Sequence, residues 1–343
     1  MPLAMALKYP LFAACPAMAK AAKNAPPLRQ GSRGIAVSLL QGALIDRGAK
    51  LPYSTKKAGV PDGIFGVETL RAVASYQSKK KLVADGVAGR NTIETLDADM
   101  VKSAASLSPT PHPAPVLPST QHYEVGSGDP RLAHDPGAGA WGSKRVEMSY
   151  VALKAAILEA LPTAYFVIGD DATKHMFHYL GNSGASYTID LDGMVHDVPS
   201  ARARYEDEVA QAQEMVERLP VGTHKIHSRT AENGYNYQSE NRNWFFAIGG
   251  YTKWGEGTAK VKSNAGVTEY ELDFEYKFYD RYNWDAGKSV TFAKITVTDR
   301  FMGEFHRQGL AREYDCWGSF KRRFSWKKGE KIPQQQLYAS GGR

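Results

Sequence analysis

The residue types best suited to chemistry gather in the last quarter of the chain. Tyr270, Leu272, Phe274, Tyr276 and Phe278 alternate with Glu271, Asp273, Glu275 and Lys277. A period of two is the mark of a β-strand with one apolar face. Extending the parity puts Asp280 and Tyr282 on that face. A carboxylate there is costly to desolvate unless it is paired or opens into a cleft, which makes Asp280 a candidate acid–base group. A turn carboxylate bound to Arg281 or to loop amides is the plainer alternative. Asp285 follows closely. Further on, His306 and Arg307 offer a general acid/base and an anion clamp, with Glu313 nearby; a half-buried His306 bonded to a neighbour is the competing reading. The catalytic candidates are therefore Asp280, Tyr282, Asp285, His306 and Arg307.

Other patterns carry less. His175/His178 and His224/His227 are HxxH pairs, but i,i+3 histidines share a side only on a helix, and neither pair has the HExxH glutamate of zinc hydrolases. No metal or other cofactor is assigned. There is no G-x-S-x-G elbow, and Cys316 lacks a papain-like surround. Lys321-Arg322-Arg323-Phe324-Ser325-Trp326-Lys327-Lys328 mixes charge with aromatics. It reads as a solvated basic edge strand more readily than as a nucleic-acid surface.

The elements that must position these residues suggest two domains, as does a length of 343 residues. Prolines 109, 111, 113, 115 and 118 interrupt residues 101–119, favouring an extended, semi-rigid spacer of about 3 Å per residue. The boundaries expected are a lead-in at 1–24, a small module at 25–100, the proline-rich linker at 101–119, an effector domain at 120–330 and a flexible tail at 331–343. Beyond the linker, helices are predicted over 148–161, ending at Pro162, over 200–219 and over 299–313. The stretch from 240 reads as aromatic β structure and 316–328 as a basic strand. The fold class is α+β: a small all-α three-helix module, then a larger α+β domain with an aromatic-rich, mainly antiparallel sheet.

Hydrophobic residues make up 43% of the chain and charged residues 23%, the balance of a protein with a packed core. Two cysteines exclude a disulfide framework, and a net charge of +7 favours anionic partners. No stretch approaches the roughly 18 apolar residues of a membrane span. The N-terminus is apolar, but Pro10 and Pro16 break it, so a lead-in packed on the first module is expected rather than a cleaved signal peptide.

In the small module, helices are expected over 35–47, 67–79 and 91–96. The loops before the second and third share one pattern: Asp62-Gly63-Ile64-Phe65-Gly66-Val67-Glu68-Thr69 is echoed by Asp85-Gly86-Val87-Ala88-Gly89-Arg90-Asn91-Thr92, each D-G-x-x-G-x-x-T. The glycines admit positive φ, the Asp can bond amides of its own turn, and the Thr falls in the next helix's first turn. This doubled motif, with LRQGSRGIAVSLLQGALIDRG before it and an aromatic-Gln between, closely resembles the three-helix peptidoglycan-binding domain family. The resemblance implies a bundle that binds bacterial wall without cutting it, and a shallow ligand groove near Asp62, Gly63, Phe65, Gly66, Asp85, Gly86 and Gly89. The segment LPYSTKKAGVP is longer than the family's minimal loop and adds two lysines.

The second domain resembles, over some 50 residues, the catalytic half of colicin M-type bacteriocins. The likeness lies in an Ala-Ile-Gly-Gly-Tyr segment and in Tyr279-Asp280-Arg281-Tyr282-Asn283-Trp284-Asp285. It implies cleavage of a lipid-linked peptidoglycan precursor, with Asp280 and Tyr282 matching the family's Asp-x-Tyr and His306 and Arg307 its His-Arg. Asn283 replaces the second Asp, and Asp285 stands two positions on. Together these features point to an antibacterial effector or lysin delivered to the wall or periplasm without a cleaved signal peptide. Its expected partners are peptidoglycan, an anionic lipid-linked precursor, and secretion machinery or an immunity protein. A non-catalytic wall-associated or membrane-acting protein is one alternative; a nucleic-acid-targeting toxin is the other.

Overall fold

The computed structural model describes residues 7–13, 15–55, 60–104, 122–264, 266–284, 289–292 and 295–338. Asp285 and residues 105–119 of the proline-rich stretch lie outside them. Two short helices open the chain, α1 (Pro10–Ala13) and α2 (Pro16–Ala21), with Tyr9, Leu11, Phe12 and Met18 buried. The amides of Lys8 and Tyr9 donate to Asp97, at 2.9 and 2.8 Å, which pins this lead-in to the small module.

That module is built from α3 (Ile35–Asp46), α4 (Val67–Lys79) and α5 (Arg90–Ala104). Their apolar stripes meet through Val37, Leu40, Leu44, Val73, Ile93 and Leu96, all essentially buried. Helix α5 is longer than its periodicity suggested and takes in residues 101–104 of the predicted linker, because Met100 continues the buried stripe.

The second domain begins with β1 (Tyr123–Val125), α6 (Met148–Ile168), α7 (Asp170–Leu180), β2 (Tyr187–Thr188), α8 (Leu191–Asp197) and α9 (Pro199–Glu217). Then come β3 (Gly222–Ser228), β4 (Glu232–Tyr235), α10 (Arg242–Ala247), β5 (Gly250–Asn264) and β6 (Val267–Tyr282). It closes with β7 (Ser289–Phe292), β8 (Ile295–Thr298), α11 (Asp299–Arg307), β9 (Tyr314–Lys327) and α12 (Gln334–Leu337). Seven strands form one sheet, in the order β1-β3-β5-β6-β9-β2 with β4 also on β5; β7 and β8 pair separately. All pairings are antiparallel except β2 on β9. The architecture is α+β.

One sheet face carries the core. Tyr270, Leu272, Phe274, Tyr276 and Phe278 of β6 are buried, and Tyr276 meets Tyr205 of α9 edge-on at 5.2 Å. The opposite face is charged, with Lys262–Glu271, Lys277–Glu256 and Arg323–Asp273 pairing across strands. One apolar and one solvated face is the usual economy of an antiparallel sheet. In the basic segment of β9, Lys321 pairs with Glu275 on that charged face, while Arg322, on the core side in register with Phe274, pairs with Asp192 of α8.

Several predicted boundaries move. Helix α6 continues through Pro162, since one lost backbone bond costs about 3 kcal/mol while Leu161 and Ile168 on either side stay buried. The 243–247 stretch, read as β, is helix α10: Asn241 accepts from the Trp244 amide as an N-cap, and Trp244 and Ala247 are buried. Helix α11 stops at Arg307, because Gly309 takes a φ of 69°. The predicted flexible tail is docked as far as Tyr338, with Ile332 and Leu337 buried and the Leu337 carbonyl accepting from Tyr205.

The two domains also pack directly. Helix α3 lies against α6 so closely that a Cβ on Gly42 would sit 2.6 Å from Ser149 Cα. Asp46, the last residue of α3, accepts from the Met148 amide (2.8 Å), the Ser149 hydroxyl (2.9 Å) and the Ser149 amide (3.3 Å). The small module thus supplies the N-cap of the second domain's first long helix. Tyr9 adds hydroxyl contacts to Glu147 and Ser149.

Candidate functional site

Two regions have the geometry of sites, one in each domain. In the small module, each D-G-x-x-G-x-x-T loop closes on a buried glutamine. The Gln41 amide nitrogen donates to Asp62 Oδ1 (2.9 Å), the Ile64 carbonyl (3.1 Å) and Thr69 Oγ1 (3.0 Å), while its oxygen accepts from the Gly63 amide (3.0 Å). Gln77 repeats the pattern on Asp85, Val87, Thr92 and Gly86 at 2.8–2.9 Å. Gly63 and Gly86 have φ of 69° and 71°, so the motif is one turn built twice. Phe65 is buried at 1% exposure and serves the core.

The first of these turns borders a groove of about 690 Å³, between the end of α3, residues 50–54 and the outer face of α4. Of the predicted ligand residues, Asp62 and Gly66 line it; Gly63 and Phe65 do not, nor do Asp85, Gly86 and Gly89 of the second turn. The second turn faces other parts of the chain, Gly86 against Leu70 and Gly89 against Asn24. Sequence reasoning missed Gln41, whose partners lie 21–28 positions away, and the groove residues Arg47, Lys50 and Arg71.

In the second domain the predicted catalytic residues divide between different surroundings. Tyr282 is buried and stacks on Tyr314 at 5.0 Å, and Tyr314 bonds His175 Nδ1 at 2.8 Å. Asp280 is half-buried and pairs in register with Cys316. The Cys316 sulfur lies 4.0 Å from His175 Nδ1, yet burial pushes the thiol up and drops His175 to about 3. Both stay neutral, so no activated thiolate forms there. His178 turns to the Ala185 carbonyl (2.7 Å), and His224 and His227 bond the Pro220 and Ser228 carbonyls.

His306 and Arg307 are committed to their own fold. His306 Nδ1 accepts from the Glu313 amide (3.1 Å) and Nε2 donates to the Gly139 carbonyl (2.9 Å). Burial lowers its pKa, in keeping with a neutral ring. Arg307 grips Glu304 at 2.8 Å and donates to the Ala138 carbonyl at 3.0 Å. These two residues therefore tie α11 to the 138–139 turn.

Beside them stands the group with the most unusual electrostatics. Glu313 has a fully buried side chain that accepts from the Ala138 amide at 2.9 Å and the Trp284 amide at 3.3 Å. Burial pushes its pKa up to about 7, against the opposing pull of those amides and Arg281. Arg281 spans from Glu313 (3.8 Å) to Asp315 (3.2 Å), and Asp315 also accepts from the Tyr279 hydroxyl, which lies 2.9 Å from His134 Nδ1. Among the described residues, Arg281 Nε, Asn283 Nδ2 and Trp284 Nε1 are buried without a hydrogen-bond partner. Three such donors in four consecutive residues are unusual, since buried polar groups are nearly always bonded. The sequence named Glu313 and Arg281 only as neighbours of other candidates.

Among the described residues, one cluster has the composition of a metal site: His122, Glu208 and Glu232, whose ligand atoms lie within 4.8 Å of one another. The buried ammonium of Lys253 already lies against both carboxylates. Burial alone would raise Glu208, but His122 and Lys253 bring it down to about 2. The arrangement is a satisfied internal ion network, with Tyr123 and Ser228 also donating to Glu208.

Residues 33–96 match the family model PG_binding_1, the peptidoglycan binding domain. The match covers α3, α4 and the start of α5, so the groove belongs to a peptidoglycan-binding module. No curated protein matches the chain. Among the described residues, no helix is long and apolar enough to cross a membrane.

Proposed function

We propose that this chain is an antibacterial effector or lysin of the bacterial cell wall, anchored by its peptidoglycan-binding module while the second domain hydrolyses a wall polymer or its lipid-linked precursor. The observation that supports hydrolysis is the Glu313–Arg281–Asp315 constellation: one guanidinium bridges a buried carboxyl held near pH 7 and a partly exposed carboxylate. A carboxyl that keeps its proton near neutrality beside one that is ion-paired is the division of labour acid–base hydrolysis requires. In this reading water adds across the scissile bond. Asp315 takes a proton from the water, and Glu313 gives one to the leaving oxygen. Delivery to the wall or periplasm is part of the proposal, as is an immunity protein in the producing cell.

The test incubates the full chain with peptidoglycan sacculi and with lipid-linked precursor, and identifies soluble products by mass spectrometry. Muropeptides or a released pyrophosphoryl disaccharide, lost in Glu313→Gln and Asp315→Asn, are the expected result. No product from either substrate would remove the hydrolase reading. A second reading, a non-catalytic wall protein, is favoured by the full commitment of His306 and Arg307 to structural bonds, and that outcome would select it.

A further inference from the structure

The groove in the small module is lined by four cations, Arg47, Lys50, Arg71 and Lys79, with Tyr53 and Ile64 among its other walls. Its two acids are engaged in hydrogen bonds of the module's own loops. Glu68 accepts from the amides of Tyr53 (3.1 Å) and Ser54 (2.7 Å) and from the Ser54 hydroxyl (2.7 Å), and so holds the 51–55 segment in place. Asp62 Oδ1 accepts from Gln41 and from the Ile64 amide. The cations are spent differently. Lys50, Arg71 and Lys79 are exposed and form no ion pair among the described residues, where the module's one such pair is Lys80–Asp99. Arg47 donates one guanidinium bond, to the Asp99 carbonyl at 3.3 Å, while its Nε is buried without a partner. Tyr53, carried by the inserted segment, is 71% exposed at the groove's edge.

We infer that this groove selects the peptide part of the wall, binding a short stem peptide through its free carboxylates. The inference rests on the wall-binding reading and adds the ligand's chemistry. Guanidinium groups bind carboxylates with charge-assisted, often bidentate bonds, and Arg47 and Arg71 are both present. The apolar walls at Leu44, Ile64 and Ala72 suit aliphatic side chains between those charges. A neutral glycan would leave Lys50, Arg71 and Lys79 unanswered. A polyphosphate chain would call for an extended basic strip, whereas these four cations border one half-open groove of about 690 Å³, a volume in the range of small-ligand sites.

The experiment titrates the full chain calorimetrically with a synthetic stem tetrapeptide bearing free carboxylates. The same peptide fully amidated, a chitin oligosaccharide and poly(glycerol phosphate) complete the series. The free-acid peptide is expected to bind, amidation to weaken it by roughly tenfold or more, and Arg71→Glu/Lys79→Glu to abolish it at unchanged melting temperature. Equal binding of the amidated peptide, or preference for the glycan or the polyphosphate, would overturn the inference. Co-sedimentation with sacculi separates it from the wider reading. If the double variant still sediments fully, the ligand assignment fails and wall binding stands. If the wild type binds the peptide but not sacculi, wall binding fails and the ligand assignment stands.

Discussion

Glu313 and Gln41 show what single side chains do here. Burial raises the Glu313 carboxyl in the folded state from the ordinary glutamate value of 4.5 to about 7. Between those values the folded state holds more protons than the unfolded one, so stability falls as pH rises. The contribution is fully present below about pH 4.5 and lost once pH passes about 7; the span of the shift corresponds to about 3 kcal/mol. Glu313→Gln should flatten this limb and raise the melting temperature at pH 8 relative to the wild type at pH 8. Thermal melts at pH 5 and pH 8 check it, and a variant as pH-dependent as the wild type would show that the proton resides elsewhere. Gln41 makes four bonds from a fully buried position. Gln41→Ala strands the buried Gly63 amide, and should cost about 1–3 kcal/mol by urea denaturation. Gln77→Ala should cost a similar amount, because its turn is the same.

At the scale of elements, the most consequential contact is α3 on α6. Gly42 allows the helices to touch, and Asp46 caps α6 across the domain boundary. Asp46→Ala should lower stability by about 1 kcal/mol, whereas Gly42→Leu leaves no room for docking. The latter variant should show a larger radius of gyration by X-ray scattering and new protease sensitivity near residue 147; wild-type dimensions would contradict this. Such docking was not legible in the sequence, since α3 reads as a helix of any small bundle and only the partner surface explains its buried glycine. What was legible followed from strong local periodicity: α4 and the alternating run of β6. Aromatic richness misled at 243–247, where an Asn cap decides for helix. Proline misled at 162, where burial on both sides outweighs one missing bond. The candidate site was only partly legible. Asp62 and Gly66 reach the groove, but the electrostatics of Glu313 depend on a turn contributed from residue 138, and no local pattern reveals that.

At the scale of the molecule, a peptidoglycan-binding module and a domain with a buried acidic centre are joined by the packed interface of α3 on α6. The anchor therefore sets the orientation of the second domain as well as its local concentration. The net charge of +7 acts in the same sense, drawing the chain to an anionic wall. The central claim, that the small module holds the protein on peptidoglycan, is tested most directly by co-sedimentation of the full chain with purified, protein-free sacculi at physiological salt. The account predicts that most of the protein moves to the pellet and that excess soluble muropeptides return it to the supernatant. Protein that stays in the supernatant whatever the amount of sacculi would contradict it.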